Sequence, residues 1–202
     1  MNKITLLFIS LFVISGLHAQ TAQEAFLSLP ESMLIDLNVN ARKDLVDLYQ
    51  ASQEAVVENL LGDSVSIEKM TPDYLLLKAG NGNLQIIVLQ MVNDSKLYCL
   101  IQTVCAPVCD SRIEFYSVSW KQLDTYTFIT PFPQTDFIRT IDNSPLPDRV
   151  FMQYIYLPET SSLQQICNTP QSLSTEDQKT IQVLLKENVK EFKWNGFRFT
   201  GD

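Results

Sequence analysis

Two cysteines, Cys105 and Cys109, lie four positions apart around a proline in the segment TVCAPVCDSRIEFY, residues 103–116. A redox pair of the thioredoxin kind has two residues between its cysteines and lies at the start of a helix, whereas this pair has three and is flanked by strand-like runs. A zinc site would need two further soft ligands, for which only Cys99 and Cys167 remain. The spacing therefore favours a disulfide across a turn, with two plain thiols, a redox pair and a metal clip as the alternatives.

A second candidate site is the segment DLNVNARKDLVD, residues 36–47, in which oxygen-bearing side chains fall at five ligand positions of a calcium loop. The sixth position of such a loop needs glycine and has Ala41, and Arg42 and Lys43 would place two cations beside the ion. We therefore predict a helix capped by Asn38 or Asn40 here, and no metal site.

Paired carboxylates could hydrolyse a glycoside if the fold held them roughly 5 to 10 Å apart across a cleft. The candidate pairs are Asp110 with Glu114 and Asp148 with Glu159, and Ser111 beside Asp110 has no evident base to activate it. Because the chain contains 23 acidic residues, solvated surface positions explain such pairs better. We predict no catalytic, cofactor-binding or metal-binding residue from the sequence.

The N-terminal segment MNKITLLFISLFVISGLHAQ is typical of a secretory signal peptide. It has one cation at Lys3, an apolar run and small residues before a cut after Ala19. We expect residues 1–19 to be removed and residues 20–202 to form a single domain that is periplasmic or secreted. The apolar run is too short for a lasting membrane span, so we expect no membrane span after signal removal.

Removal of this segment would also change the chemistry of the chain. The only histidine, His18, lies before the cut, and histidine is the residue best suited to acid–base catalysis near neutral pH. The 15 basic residues less Lys3, set against 23 acidic residues, leave a net charge of −9. Such acidity repels phosphate backbones, so we expect no nucleic-acid partner.

The cysteine pair lies in a series of short strand-like runs between residues 65 and 120, separated by tight turns at 80–83 and 93–96. A parallel crossover needs about a dozen residues, so these strands must be antiparallel neighbours in a meander. Helical spacing is found at 40–60 and at 174–188. We predict an α+β fold, with an antiparallel β-meander sheet and these two main helices packed on one face.

Further strands, a hairpin and a loop are predicted after residue 120. Strands are predicted at Val150–Tyr156 and Leu163–Cys167, and Asn195-Gly196 between alternating aromatic residues predicts a hairpin. The run TYTFIT, residues 125–130, is consistent with a further strand. The proline-rich segment 131–148 is too apolar for a free linker, so we predict a structured loop.

Eight aromatic residues are spread along these segments. Most should be buried, but several on one solvent-facing side of the sheet would form a platform for a sugar or a protein partner. The eight are Tyr74, Tyr98, Phe115, Tyr116, Trp120, Tyr154, Tyr156 and Trp194.

The segments FLSLPESMLIDLNVNARKDLVDLY, MTPDYLLLKAG and IQTVCAPVCDSRIEFYSVSWKQL, in this order behind a signal peptide, resemble an uncharacterised family of exported proteins from Bacteroidales. The resemblance covers most of the processed chain and implies an envelope or secreted location. The family is a domain of unknown function, so the resemblance implies no activity and no functional residues.

Our functional hypothesis is an exported cell-envelope protein that acts as a non-catalytic binding or interaction module, with an unknown protein or a glycan as partner and no cofactor. The first alternative is an exported carboxylate-dependent hydrolase that acts on a glycan. The second is a thiol–disulfide exchange protein that uses Cys105 and Cys109. A deep pocket with two close acids would favour the hydrolase, and a flat aromatic patch on the exposed sheet face would favour the binding module.

Overall fold

The computed structural model describes residues 20–139 and 149–201. The predicted signal peptide with His18 lies outside these residues, as does Asp148 from one candidate carboxylate pair.

The strands of the described residues form two antiparallel sheets. In the first sheet each strand pairs with the next along the chain, through β1 (Val56–Glu58), β2 (Ser64–Thr71), β3 (Tyr74–Ala79), β4 (Gly82–Gln90), β5 (Lys96–Cys105), β6 (Cys109–Ser117) and β7 (Gln122–Leu123). The second sheet contains β8 (Met152–Leu157), β9 (Ser162–Cys167), β10 (Val189–Trp194) and β11 (Phe199–Gly201), with β8 and β11 at its edges. The α-helices are α1 (Ala22–Ser28), α2 (Val39–Gln50), α3 (Thr125–Phe128), α4 (Gln134–Phe137) and α5 (Thr175–Leu184).

The predicted α+β fold with an antiparallel meander is confirmed. The turn between β3 and β4 uses Gly80 at a φ of +51°, a conformation that favours glycine. A Cβ at Gly82 would lie 2.6 Å from the carbonyl oxygen of Thr103, so β4 and β5 can pair this closely only with glycine at that position. The four-stranded second sheet was not predicted as a separate sheet.

The first sheet is buried on both faces because its side chains alternate between two cores. One face of the meander, including Leu75, Leu77 and Ile86, packs against α1 and α2. The opposite face, including Ile87 and Phe115, packs against the inner face of the second sheet. Helices α1 and α2, the first sheet and the second sheet therefore form three layers in that order.

Helix α2 begins where the sequence predicts it but ends earlier. The Asn38 side chain accepts hydrogen bonds from the amides of Asn40 and Ala41, which confirms an asparagine cap. The helix ends at Gln50 instead of near residue 60, because the β-branched residues after it join β1 and pair with β2. Gly62 consequently lies in the β1–β2 turn, at a φ of +86°.

Helix α5 lies in a cluster separate from that of α2, so the two main helices do not pack together on one face of the meander as predicted. Ser174 caps it by accepting a hydrogen bond from the amide of Asp177, as the sequence predicts. Its buried residue Ile181 contacts a small core with Phe137 and with Cys167 of the second sheet. The predicted strand at residues 125–130 is instead the short helix α3.

Gln85 on β4 joins the two sheets through its side chain, which is only 3% exposed. Its Oε1 accepts hydrogen bonds from the Tyr156 amide at 3.0 Å and from the Tyr74 hydroxyl at 3.2 Å. Its Nε2 donates to the carbonyl oxygen of Tyr154 at 3.1 Å. One amide group therefore satisfies three polar groups between two apolar layers, where an unpaired group would be costly.

We predict that Gln85→Leu lowers the free energy of unfolding by about 2 to 4 kcal/mol, because the buried partners in β8 and at Tyr74 lose their hydrogen bonds. Urea denaturation followed by circular dichroism measures this change. Gln164→Leu on the outward face of β9 is the matched control and should shift the value by no more than about 0.5 kcal/mol. Equal effects of the two substitutions would contradict the role assigned to Gln85.

Candidate functional site

The structure joins Cys105 and Cys109 by a disulfide across the β5–β6 turn. The two residues are directly opposite each other in the strand ladder, with their Cα atoms 3.9 Å apart. The other two cysteines, Cys99 and Cys167, are buried thiols. Burial raises the pKa of the Cys99 thiol, which keeps it protonated and unreactive.

The two polar residues after this turn, Asp110 and Ser111, form hydrogen bonds with the second sheet. The Asp110 carboxylate accepts a hydrogen bond from the Met152 amide at 3.0 Å, and the Ser111 hydroxyl accepts one from the Tyr154 amide at 3.1 Å. Thr103 on β5 lies 2.8 Å from the same hydroxyl, oxygen to oxygen. Asp110 and Ser111, which the sequence singles out as candidates for chemistry, thus bind the backbone of β8.

The other candidate acids are also paired within the protein. Glu114 is nearly buried and accepts hydrogen bonds from Arg112 and from Gln122. Glu159 is exposed and forms an ion pair with Lys69, and this hydrogen bond lowers the pKa of the Glu159 carboxyl. Glu114 therefore binds side chains of β6 and β7, and Glu159 binds one of β2. The candidate partners Asp110 and Glu114 are four residue steps apart on β6, which is about 13 Å of strand and more than a pair of catalytic carboxylates allows.

Residues 36–47, whose spacing is similar to that of a calcium loop, form contacts that stabilise the fold. Asp36 accepts a hydrogen bond from the Asn59 side chain at 2.9 Å, and Asn38 caps α2. Arg42 is fully buried, and its Nη1 donates to the carbonyl oxygens of Phe26 and Leu29. The side chains from Asp36 to Arg42 thus stabilise the junction of α1, α2 and the β1–β2 turn.

Most of the eight aromatic residues lie in the core, as the sequence predicts. Six of them are buried, and Trp120 and Trp194 are half-buried. The buried six are Tyr74, Tyr98, Phe115, Tyr116, Tyr154 and Tyr156. Among the described residues these eight side chains therefore form no flat exposed platform.

The candidate binding site is a cleft of about 410 Å³ at one end of the two sheets. The first sheet supplies residues from the β2–β3 turn and the end of β4, and the second supplies residues from β8, the β8–β9 turn and β10. Its lining consists of Thr71, Asp73, Tyr74, Val88, Leu89, Gln90, Tyr156, Pro158, Ser161 and Trp194. A cleft of this size between two layers is the usual form of a small-ligand site.

Tyr74 and Tyr156 are buried residues of the lining, with ring centroids 5.8 Å apart. Burial raises the pKa of Tyr74 to about 12. Trp194 is half-buried, and its indole nitrogen donates to the Gln90 carbonyl oxygen at 2.7 Å. Asp73 is exposed and lies 3.8 Å from the Lys96 ammonium.

Sequence reasoning did not find this cleft. Its residues come from separate turns and strand ends, and they share no motif or spacing. The one available signal was the pair of aromatic residues, Tyr156 and Trp194, next to predicted turns.

The comparisons with known proteins address the family and the fold. The model of a family described as "Protein of unknown function (DUF3256)" matches residues 14–199. The chain belongs to this family. This match confirms the resemblance of the sequence to an uncharacterised family.

One solved structure similar to this DUF3256 chain is described as "Structure of a domain of an uncharacterized protein from Porphyromonas gingivalis W83". It is 24% identical, covers 89% of this chain and 98% of its own, and has a TM-score of 0.77. At this identity the likeness shows a shared fold alone. No curated protein matches the chain. Within the described residues, no helix has the length and hydropathy to cross a membrane.

We predict that this DUF3256 domain loses stability between about pH 10 and pH 12. Tyrosine in an unfolded chain titrates near pH 10, whereas burial raises the pKa of Tyr74 and of Tyr116 to about 12. In that interval the folded chain keeps protons that the unfolded chain releases, so the free energy of unfolding falls as the pH rises. Below pH 10 the contribution of these groups is complete. Urea denaturation at several pH values, with tyrosinate absorbance recorded in parallel, measures the effect.

Tyr74→Phe should make this decrease shallower, because one of the groups that resists ionisation is removed. Tyr126→Phe is the control, because Tyr126 is 71% exposed and its substitution leaves Tyr74 and Tyr116 buried, so it should change the decrease less than Tyr74→Phe does. Stability that stays constant up to pH 12 would show that the buried hydroxyls are not linked to folding.

Proposed function

We propose that this protein is an exported, non-catalytic binding module of the cell envelope and that the cleft between its sheets binds a saccharide. The observation that supports this proposal is the lining of the cleft, which combines aromatic rings with hydroxyl, amide and carboxylate groups. A sugar ring has an apolar C–H face and a polar rim of hydroxyls, so it needs both kinds of group in one site.

The positions of these groups fit such a ligand. Trp194 belongs to the second sheet and Asp73 follows β2 of the first, and both line the cleft. We expect a saccharide in the cleft to stack on the indole and to form hydrogen bonds with the Asp73 carboxylate and the Ser161 hydroxyl. Both sheets would then contact the ligand, and the Gln85 contacts that fix their separation would set the width of the cleft.

The contacts of the candidate acids and thiols favour binding over the two alternatives. Acid catalysis of glycoside hydrolysis calls for a carboxyl group with a raised pKa, whereas Lys69 lowers the pKa of Glu159. Asp110 is held by an amide of β8. The thiol–disulfide exchange alternative depends on Cys105 and Cys109, which join two strands across a turn and do not lie at the start of a helix, where the helix dipole would lower the pKa of a thiol.

We expect saccharide binding to depend on the cleft. Titration calorimetry of the wild-type protein against a panel of neutral and N-acetylated oligosaccharides should identify at least one ligand, and Trp194→Ala should weaken its binding at least about tenfold through loss of the stacking surface. Asp73→Asn preserves shape and tests the carboxylate separately. Tyr126→Ala, which removes an exposed aromatic ring outside the cleft, is the control and should bind like the wild type.

Circular dichroism of each variant must first show an unchanged fold, because Trp194 also packs edge-on against Phe199. If no oligosaccharide in the panel bound the wild type, or if both cleft variants bound as the wild type does, the saccharide proposal would be wrong.

Export is proposed from the sequence, and the contacts around the expected cut support it. Lys96 donates a hydrogen bond to the Gln20 carbonyl oxygen at 2.9 Å, and Thr21 caps α1 through a capping box with Glu24. A cut after Ala19 would leave all of these contacts intact.

We expect the protein isolated from its native cells to begin at Gln20 and to be found in the periplasmic or extracellular fraction. The intact mass, together with peptide mapping of the N-terminus, identifies the cut, and cell fractionation identifies the compartment. A full-length chain in the cytoplasmic fraction would contradict export while leaving the saccharide proposal to be tested separately.

A further inference from the structure

Three strongly exposed aliphatic side chains lie on two neighbouring loops near the start of β2, at the end of this strand that is far from the cleft. Ile35 is 77% exposed, Leu60 is 67% exposed and Leu61 is 78% exposed. The two loops touch, because the Leu60 amide donates a hydrogen bond to the Asp36 carbonyl oxygen at 2.8 Å. We name residues 31–36 and 58–63 the aliphatic loop pair.

The aliphatic loop pair is held in one conformation by the buried side chain of Asn59. Its Nδ2 donates to the Asp36 carboxylate at 2.9 Å. Its Oδ1 accepts hydrogen bonds from the amides of Leu61 at 2.9 Å and Asp63 at 2.8 Å. The exposed leucines are thus carried on a backbone fixed by four hydrogen bonds, counting the one between the loops. A fixed, exposed group of large apolar side chains is typical of an interaction surface.

A shallow cavity of about 310 Å³ lies within this surface, lined by Glu31, Ser32, Leu34, Ile35, Asn38 and Leu60. A large apolar side chain of a partner could be buried in a pocket of this size. Such a buried anchor, surrounded by contacts that exclude water, commonly provides most of the binding energy of a protein interface.

The charges of the loop pair indicate the chemistry of the partner. Residues 31–36 and 58–63 contain four acids and no lysine or arginine; the acids are Glu31, Asp36, Glu58 and Asp63. The nearby cation Arg42 is fully buried and donates to backbone carbonyls, so it partly offsets the charge of Glu31 but presents no cationic group to a partner. Complementary charge favours a partner whose apolar residues are flanked by lysine or arginine.

We propose that the aliphatic loop pair docks a basic amphipathic segment of a protein partner. The surface is separate from the saccharide cleft, because the loop pair precedes Ser64 at one end of β2 and the cleft includes Thr71 at the other. Seven residue steps of strand place the two ends about 23 Å apart. The inference is therefore independent of the proposed saccharide site.

Fluorescence anisotropy with two labelled model peptides tests the proposal. One peptide is an amphipathic helix of leucine and lysine, and the other has glutamate at every lysine position. We expect the leucine–lysine peptide to bind the wild-type protein and to bind more weakly as salt is added. The double variant Leu60→Ser, Leu61→Ser should bind it at least about tenfold more weakly, with an unchanged melting curve because both side chains are exposed.

Val183→Ser is the matched control, because Val183 is 82% exposed on α5, away from the loop pair, and should leave peptide binding unchanged. Equal binding of the double variant and the wild type would overturn the proposal, as would stronger binding of the glutamate peptide.

Two further measurements test whether the aliphatic loop pair binds a second copy of this chain or a lipid surface instead. Sedimentation that shows a dimer lost in the double variant would assign the surface to a second copy of this chain and would overturn the proposal. Binding of phosphatidylcholine vesicles that is lost in the same variant would assign it to a lipid surface, with the same consequence. Neither measurement depends on the cleft, so the outcome of each is distinct from that of the saccharide titration.

Discussion

The arrangement of the two sheets depends on how the amides of the edge strand β8 are satisfied. An edge strand carries a row of N–H groups with no strand beside it, and buried groups of this kind must find acceptors. In this protein the acceptors are side chains of the first sheet, each bonded to one β8 amide: Asp110 to Met152, Ser111 to Tyr154 and Gln85 to Tyr156. Because successive acceptors meet alternate residues of β8, they fix its register as well as its distance from the first sheet. The cleft at one end of the sheets takes its width from the same contacts.

The disulfide turn belongs to this arrangement. Cys109 is followed directly by Asp110 and Ser111, so the staple between β5 and β6 restrains the backbone that carries two of the three acceptors. The Asn168 side chain adds a contact from the end of β9 by donating to the Cys109 carbonyl oxygen at 3.0 Å. The residues that look most reactive in the sequence are thus used in the structure to position one sheet against the other.

Features set by near neighbours could be predicted from the sequence, and features set by distant residues could not. The meander, the Asn195-Gly196 hairpin and the cap at Ser174 follow from turn and capping chemistry within a few residues. The end of α2 was predicted too late: Ala55 and Val56 keep the helical spacing, but Val56 begins β1 and the Ala55 carbonyl oxygen accepts a hydrogen bond from the Ile67 amide of β2. The second sheet and the cleft could not be predicted, because Gln85 and Tyr156 are 71 positions apart and no local pattern joins them.

The acidity of the chain limits what each surface can bind. With a net charge of −8 for the whole sequence, anionic ligands are repelled at long range and cationic ones are attracted. In the cleft the exposed Asp73 carboxylate lies beside the Lys96 ammonium, so the local charges offset each other and the proposed saccharide would be a neutral one. At the aliphatic loop pair the exposed acids have no cation among them, so the same field favours a basic protein segment. The two proposed ligands, a neutral saccharide at one end of β2 and a basic protein segment at the other, could therefore bind together, since neither adds negative charge to the molecule.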